Sequence, residues 1–382
     1  MHTFHLIRYF YRNYFLRNSK AYTADKIFTG EAWMSGMAIL AEDGVISDVV
    51  PIEKVPAGTE NVSFPKLLLA PAFIDLQIYG AYGKLLAAFP EADSLKKLVD
   101  YCAIGGATLC LPTVATNTYA VFHDCIDAVR SYSREGGQGV LGLHIEGPWI
   151  NPAKRGAHIE KLIHSPSTNQ VRDLLDYGKD VIKMITLAPE VCSREVIDLI
   201  RSRGIVLSAG HSNATYQQAM EGFDAGIPTV THLYNAMSPF QHRQAGLVGA
   251  TFDHPSVMAS IIPDGYHADF SSVRIAKKIM RERLFVITDA VTETDNGYYP
   301  HQRAGDKYES SGILSGSALN MGLAVKNLVT KCGIELGEAI RMCSLYPAKL
   351  IGIGKTHGMI AKGYSARMVI MNDDSDISGL TQ

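Results

Sequence analysis

Nowhere in these 382 residues is there an apolar run long enough to span a bilayer, so no membrane partner is expected. Charge of one sign is also lacking. The formal net charge is −2, which leaves no global attraction for nucleic acid, and any anion must be met by a local site. The six cysteines, at positions 102, 110, 125, 192, 332 and 343, have neither CxxC spacing nor the density of a small disulfide scaffold. They read as buried thiols in a reducing compartment, which makes the cytoplasm the expected location. What is present is core material. Hydrophobic residues make up 47% of the chain, enough over this length for one large domain and a smaller companion.

The ends differ from the middle. Residues 1–20 are aromatic and basic, with Arg8, Arg12, Arg17 and Lys20 and no acid before Asp25. An Arg-rich, acid-poor end has the composition of a transit peptide, but no apolar core or cleavage site of a secretory signal accompanies it, and a surface extension without function is the plainer reading. Over residues 21–69, β-like pieces at 24–28, 34–41, 44–50 and 62–67 are separated by turn residues Gly30, Asp43, Gly44, Pro56 and Gly58. Residues 350–382, with an apolar run at 368–371, have the same texture and stop soon after Asp373. The two ends together predict one small β-sandwich domain, its last strand short or missing.

Residues 70–349 repeat strand then helix. Strand-like runs fall at 67–74, 108–114, 140–145, 181–187, 205–209, 229–233, 257–262 and 284–288, with helical periodicity at 94–104, 119–132, 195–203, 214–225 and 272–280. Eight such strands predict an α/β fold, a (β/α)8 barrel. An open doubly wound sheet is the rival, but it gathers its ligands at one switch point. Here polar residues stand at the ends of many strands, which is what a barrel brings to one face.

The most telling stretch is VLGLHIEGPWINPAKRGAH, residues 140–158. An apolar run ends at Glu146, and Gly147 and Pro148 stop the strand there. A carboxylate at the exit of a buried strand needs a cation or donors to receive it. Two other runs, IVLSAGHS and PTVTHLYN, close on His211 and His232. Any one of these histidines alone reads as a core or loop residue. One Glu and two His at three strand ends fit a single divalent metal with room left for water. The eighth run, LFVITDA, places Asp289 in the same position with no Lys or Arg beside it. Beside a metal site this Asp suits a general acid/base. His144, two residues before Glu146, is read as packing inward or supporting the metal ligands.

Six segments, LHIEGPWINPAKRGAH, GHSNATY, THLYNAMSPFQHR, DGYH, ITDA and LSGSALNM, resemble the N-acetylglucosamine-6-phosphate deacetylases of the amidohydrolase superfamily, in that order and at compatible spacing. The resemblance covers roughly residues 22–372. It implies hydrolysis of the acetamide of N-acetylglucosamine 6-phosphate on a metal-dependent (β/α)8 barrel, with metal ligands Glu146, His211 and His232 and acid/base Asp289. It implies that His158, beside Ala157, acts near the amide. Asn235 and Ala236 would clasp the sugar phosphate, and Arg243 would reach the phosphate from the second subunit of a homodimer. The segments Asp264, Gly265, Tyr266 and His267, and Leu314, Ser315 and Gly316, would contact substrate. The implied cofactor is one divalent metal ion per subunit, zinc before iron, manganese or cobalt.

Two departures stand out. Where many amidohydrolases carry HxH to hold a second metal, this chain has Gln77-Ile78-Tyr79, so a single metal is expected and Tyr79 either narrows the pocket or adds a hydroxyl to it. After Arg243 the family's Glu-Pro is replaced by Gln244-Ala245, which bears on the rigidity of that loop. The rival activities are deacetylation of another N-acyl amino sugar such as N-acetylgalactosamine 6-phosphate, and non-catalytic binding of a sugar phosphate.

Overall fold

The structure, a computed structural model, describes residues 19–381. The basic N-terminal segment therefore lies outside the described residues, apart from Ser19 and Lys20. These two open the strand Ser19–Phe28 rather than belonging to an extension.

Eight parallel strands form the core of the molecule: Phe73–Ile78, Ala107–Ala115, Leu143–Glu146, Ile182–Leu187, Val206–Ala209, Thr229–Val230, Met258–Ile261 and Leu284–Val286. Each pairs with its sequence neighbours, the order of a (β/α)8 barrel. The ladder is not continuous between the first and eighth strands. There the cylinder is completed by Tyr79 N donating to Ala290 O at 2.9 Å and Asp289 N donating to Gln77 O at 3.0 Å. Just below, the buried Asp75 of the first strand accepts from the backbone N–H of Thr288 at 3.2 Å and from its hydroxyl.

The helices begin where local chemistry allows. Thr118 caps Tyr119–Arg134, and Ser167 with Gln170 and Thr215 with Gln218 form reciprocal capping boxes on Thr168–Tyr177 and Tyr216–Asp224. Their apolar faces cover the barrel, as Phe122, Ile126 and Val129 do from one helix and Val196, Ile197 and Ile200 from Arg194–Ser202.

One strand assignment from the sequence needs correcting. The run 67–74 is not the first barrel strand: Glu60–Pro71 belongs to the terminal sheet, and the barrel begins at Phe73. Apolar residues continue across Pro71 and Ala72 without a polar break, so hydrophobicity alone joined two consecutive strands.

Both termini build one seven-stranded mixed sheet. Ser19–Phe28 pairs parallel with Glu60–Pro71, which pairs antiparallel with Met368–Met371. The last strand, expected to be short or missing, is present as Ile377–Leu380 and pairs with Met368–Met371. Tyr22, Ile27, Ile39, Ile46, Leu69 and Met368 form an interior separate from the barrel's.

Candidate active site

The C-terminal ends of the barrel strands open into a cavity of about 860 Å³, its mouth included. Glu146 ends the third strand. His211 and His232 each lie two residues beyond the fifth and sixth, and Asp289 lies three beyond the eighth. His211, His232 and Asp289 all have positive φ, at 47°, 37° and 56°. The left-handed region is unfavourable for such side chains and is tolerated where the surroundings fix it. Gly147 (φ 78°) turns the chain immediately after Glu146, where a Cβ would stand 2.2 Å from Thr116 Oγ1.

Glu146 Oε1 lies 3.3 Å from His211 Nε2 and 3.1 Å from His232 Nε2, and the two nitrogens are 3.1 Å apart. Ligand atoms about 2.0–2.1 Å from a tetrahedral ion stand roughly 3.3 Å from one another, so this near-equilateral triangle has the size of three corners of such a site. His211 Nδ1 is 3.0 Å from the carbonyl of Lys154, to which it donates, turning the Nε2 lone pair inward. His232 Nδ1 has no comparable acceptor among the described residues.

Glu146, His158 and His211 also lie close enough together to hold an ion. Hydrogen bonding separates the two trios. His158 Nδ1 accepts from the backbone N–H of Thr116 at 3.4 Å and is 2.7 Å from its hydroxyl. Its Nε2 therefore carries the hydrogen and donates to Glu146 Oε2 at 3.2 Å, which makes His158 a donor. Burial, first, brings its pKa down to about 4. Burial alone would raise Glu146, but the neighbouring imidazoles outweigh it and hold the carboxylate well below its usual range. The donor set of one ionised carboxylate and two inward imidazoles fits a divalent cation.

Asp289 is buried, and burial raises its pKa against the pull of His232 and His267. Its Oδ1 accepts from Gln77 Nε2 at 2.7 Å. His267 Nε2 stands 3.9 Å from Oδ2, its ring held by Asp264 Oδ2 at 2.6 Å from Nδ1.

The other expected residues divide. Ala157, His158, Asn235, Ala236, His267, Leu314, Ser315 and Gly316 line the cavity. Asp264 stands behind His267, while Gly265 and Tyr266 are exposed on the turn that Asp264 Oδ1 holds through the N–H groups of Tyr266 and His267. Arg243 is exposed and absent from this wall. It sits in a hairpin closed by reciprocal backbone bonds of 3.0 and 3.1 Å between Gln241 and Gln244, so that loop is fixed without proline. His144, inside the barrel, is 2.8 Å from Thr186 Oγ1.

Sequence reasoning missed Thr116, Tyr299 and His301. Tyr299 and His301 enter the cavity from an irregular segment with no periodicity to mark it. His301 Nδ1 meets Ser315 Oγ at 2.9 Å, and Tyr299 donates to the carbonyl of Thr116 at 2.6 Å.

A (β/α)8 barrel with a carboxylate and two imidazoles poised for a cation, and a second carboxylate of raised pKa beside them, defines a hydrolase of the metal-assisted kind. The amidohydrolase family pattern matches residues 68–382, and the chain belongs to that family. It is 32% identical over 364 residues to the N-acetylglucosamine-6-phosphate deacetylase of Haemophilus influenzae, a match covering 92% of this chain and 95% of that protein. An N-acetylgalactosamine-6-phosphate deacetylase from Escherichia coli O157:H7 is 30% identical over 361 residues, covering 91% and 94%. Among solved structures, N-acetylglucosamine-6-phosphate deacetylase from Pasteurella multocida superposes with a TM-score of 0.90 at 33% identity, covering 95% of this chain and 98% of that one.

Proposed function

We propose that this chain hydrolyses the acetamide of N-acetylglucosamine 6-phosphate to glucosamine 6-phosphate and acetate, using one divalent ion held by Glu146, His211 and His232. Zinc heads the candidates, with iron, manganese and cobalt behind it. The observation that carries the proposal is the meeting of these three side chains beside Asp289, bridged by Gln77 Nε2 at 3.1 Å from Glu146 Oε1 and 2.7 Å from Asp289 Oδ1.

When bound, the ion supplies Lewis acidity, polarising the amide carbonyl and making a water easier to deprotonate. Asp289 takes the proton of that water as its oxygen joins the carbonyl carbon, then passes the proton to nitrogen as the C–N bond breaks. Its raised pKa suits a carboxyl that must hold a proton between the two events. The Nε2–H of His158, 3.2 Å from Glu146 Oε2, is shared between that oxygen and the negative charge that develops on the carbonyl oxygen. Ala157, Asn235, Ala236, His267 and the 314–316 segment orient the sugar, so that contacts remote from the scissile bond position it.

No Lys or Arg is among the described residues lining the cavity, yet a phosphate dianion calls for one. This supports a homodimer in which Arg243 serves the neighbouring site. Beside its hairpin lies an apolar surface of Tyr234, Pro239, Phe240, Phe252, Ile275 and Ile279, with Phe240 63% exposed, which suits a subunit contact. The cytoplasm is the proposed location, consistent with the six cysteines, none of which is in a disulfide.

The test is acetate release by purified protein, with metal content measured on the same sample. Failure to release acetate from N-acetylglucosamine 6-phosphate when metal is present sinks the reading. The Escherichia coli relative favours N-acetylgalactosamine 6-phosphate as the second reading, and the ratio of kcat/KM for the two epimers decides between them.

A further inference from the structure

Tyr79 stands at the exit of the first barrel strand, in the cavity wall, and its hydroxyl donates to Glu146 Oε2. The phenol oxygen in turn accepts from Gln77 Nε2 at 2.8 Å, and the same amide reaches Asp289 Oδ1 at 2.7 Å. Oε2 also receives His158 Nε2 at 3.2 Å. Two donors thus occupy one oxygen of this carboxylate, while the other stands 3.1 Å from the same Gln77 amide and faces His211 Nε2 and His232 Nε2, with a lone pair left for an ion.

We propose that Tyr79 is a positioning residue for Glu146: its hydroxyl holds Oε2 and so aims Oε1 at the His211–His232 pair. The inference rests on the cation site proposed above. Gln77 couples the arrangement to Asp289, so the amide that supports the phenol also fixes which oxygen of the acid/base is free to take a proton. Hydrogen bonds of this kind, one step removed from the ion, orient the ligand that touches it.

The experiment is chelator competition with zinc on the full chain, read with metal stoichiometry by mass spectrometry and the unfolding midpoint of metal-stripped protein. Wild type takes one ion per chain. Tyr79→Phe still takes one, with affinity lowered by about 10–100-fold and the stripped midpoint little changed. A purely structural tyrosine would shift the midpoint and leave affinity intact. Tyr79→Phe binding zinc as tightly as wild type, or losing affinity only in step with a fallen midpoint of the stripped protein, would overturn the inference and leave the proposed function standing. A wild-type chain that takes up no ion defeats the cation site itself, and this inference with it.

Discussion

Asp264 Oδ2 lies 2.6 Å from His267 Nδ1, and the far nitrogen of that ring stands 3.9 Å from Asp289 Oδ2. Burial would raise Asp264, but the bond to His267 and the N–H groups of the turn outweigh it and hold the carboxylate below its usual value of 3.8. The pair fixes the ring of His267, its Nδ1–H donated to Asp264 and its Nε2 turned toward Asp289 in the cavity.

Asp264→Asn should therefore leave the fold in place and lower kcat/KM by about tenfold or more, through a misoriented ring. A carboxyl with a depressed folded pKa stabilises above its unfolded value, and that contribution is lost as pH falls through the folded one. The difference in unfolding midpoint between wild type and variant should accordingly shrink as pH drops below 3.8. An equal difference at pH 2 and pH 6 would contradict the assignment.

Asp289→Asn should reduce kcat by about 10²–10⁴-fold or more, since the amide cannot carry the proton from water to nitrogen. Metal content should be unchanged, because Asp289 is not one of the three proposed ligands. Turnover near the wild-type rate would remove the acid/base role.

Arg243→Ala should raise KM for the phosphorylated sugar and leave an unphosphorylated analogue unaffected. The stronger check is complementation. Mixed in equal parts, Arg243→Ala and Asp289→Asn chains should regain activity at about a quarter of the sites, those pairing an intact Asp289 with a partner's intact arginine. No recovery after proven subunit exchange would place Arg243 outside the neighbouring site.

A pH effect of opposite sign is expected from Asp75. Burial, first, raises its pKa from 3.8 to about 7, against the lowering effect of bonds from Thr288 and Gln77. Between those values the folded chain holds a proton that the unfolded chain has released, so this residue costs stability as pH rises from about 4 to 7. Asp75→Asn lacks that slope and keeps an oxygen for the Thr288 and Gln77 N–H groups. Urea unfolding should show the variant gaining on wild type across that interval by roughly a few kcal/mol. A constant difference would mean that Asp75 is ionised in the fold throughout.

The barrel was legible because each strand had to be apolar to fill it, and Glu146, His211, His232 and Asp289 stood out as polar endings of apolar runs. The same signal failed at the first strand. Apolar residues run on from Leu67 through Phe73, while Asp75 and Gln77, which carry the barrel's closure and the link to Asp289, look like breaks in a pattern rather than its purpose. Only the resemblance, not spacing or periodicity, set His158 apart from the proposed ligands. That distinction depends on which nitrogen carries hydrogen, and Thr116, 42 positions away, decides it. The resemblance supplied Asn235, Ala236 and the 314–316 segment, whereas Tyr299 and His301 had neither motif nor periodicity.

Where the first and eighth strands meet, the cylinder is fastened by the main chain of Gln77, Tyr79, Asp289 and Ala290. The lock is set in the hinge. Whatever prises those strands apart also pulls Asp289 away from the Gln77 amide that braces it.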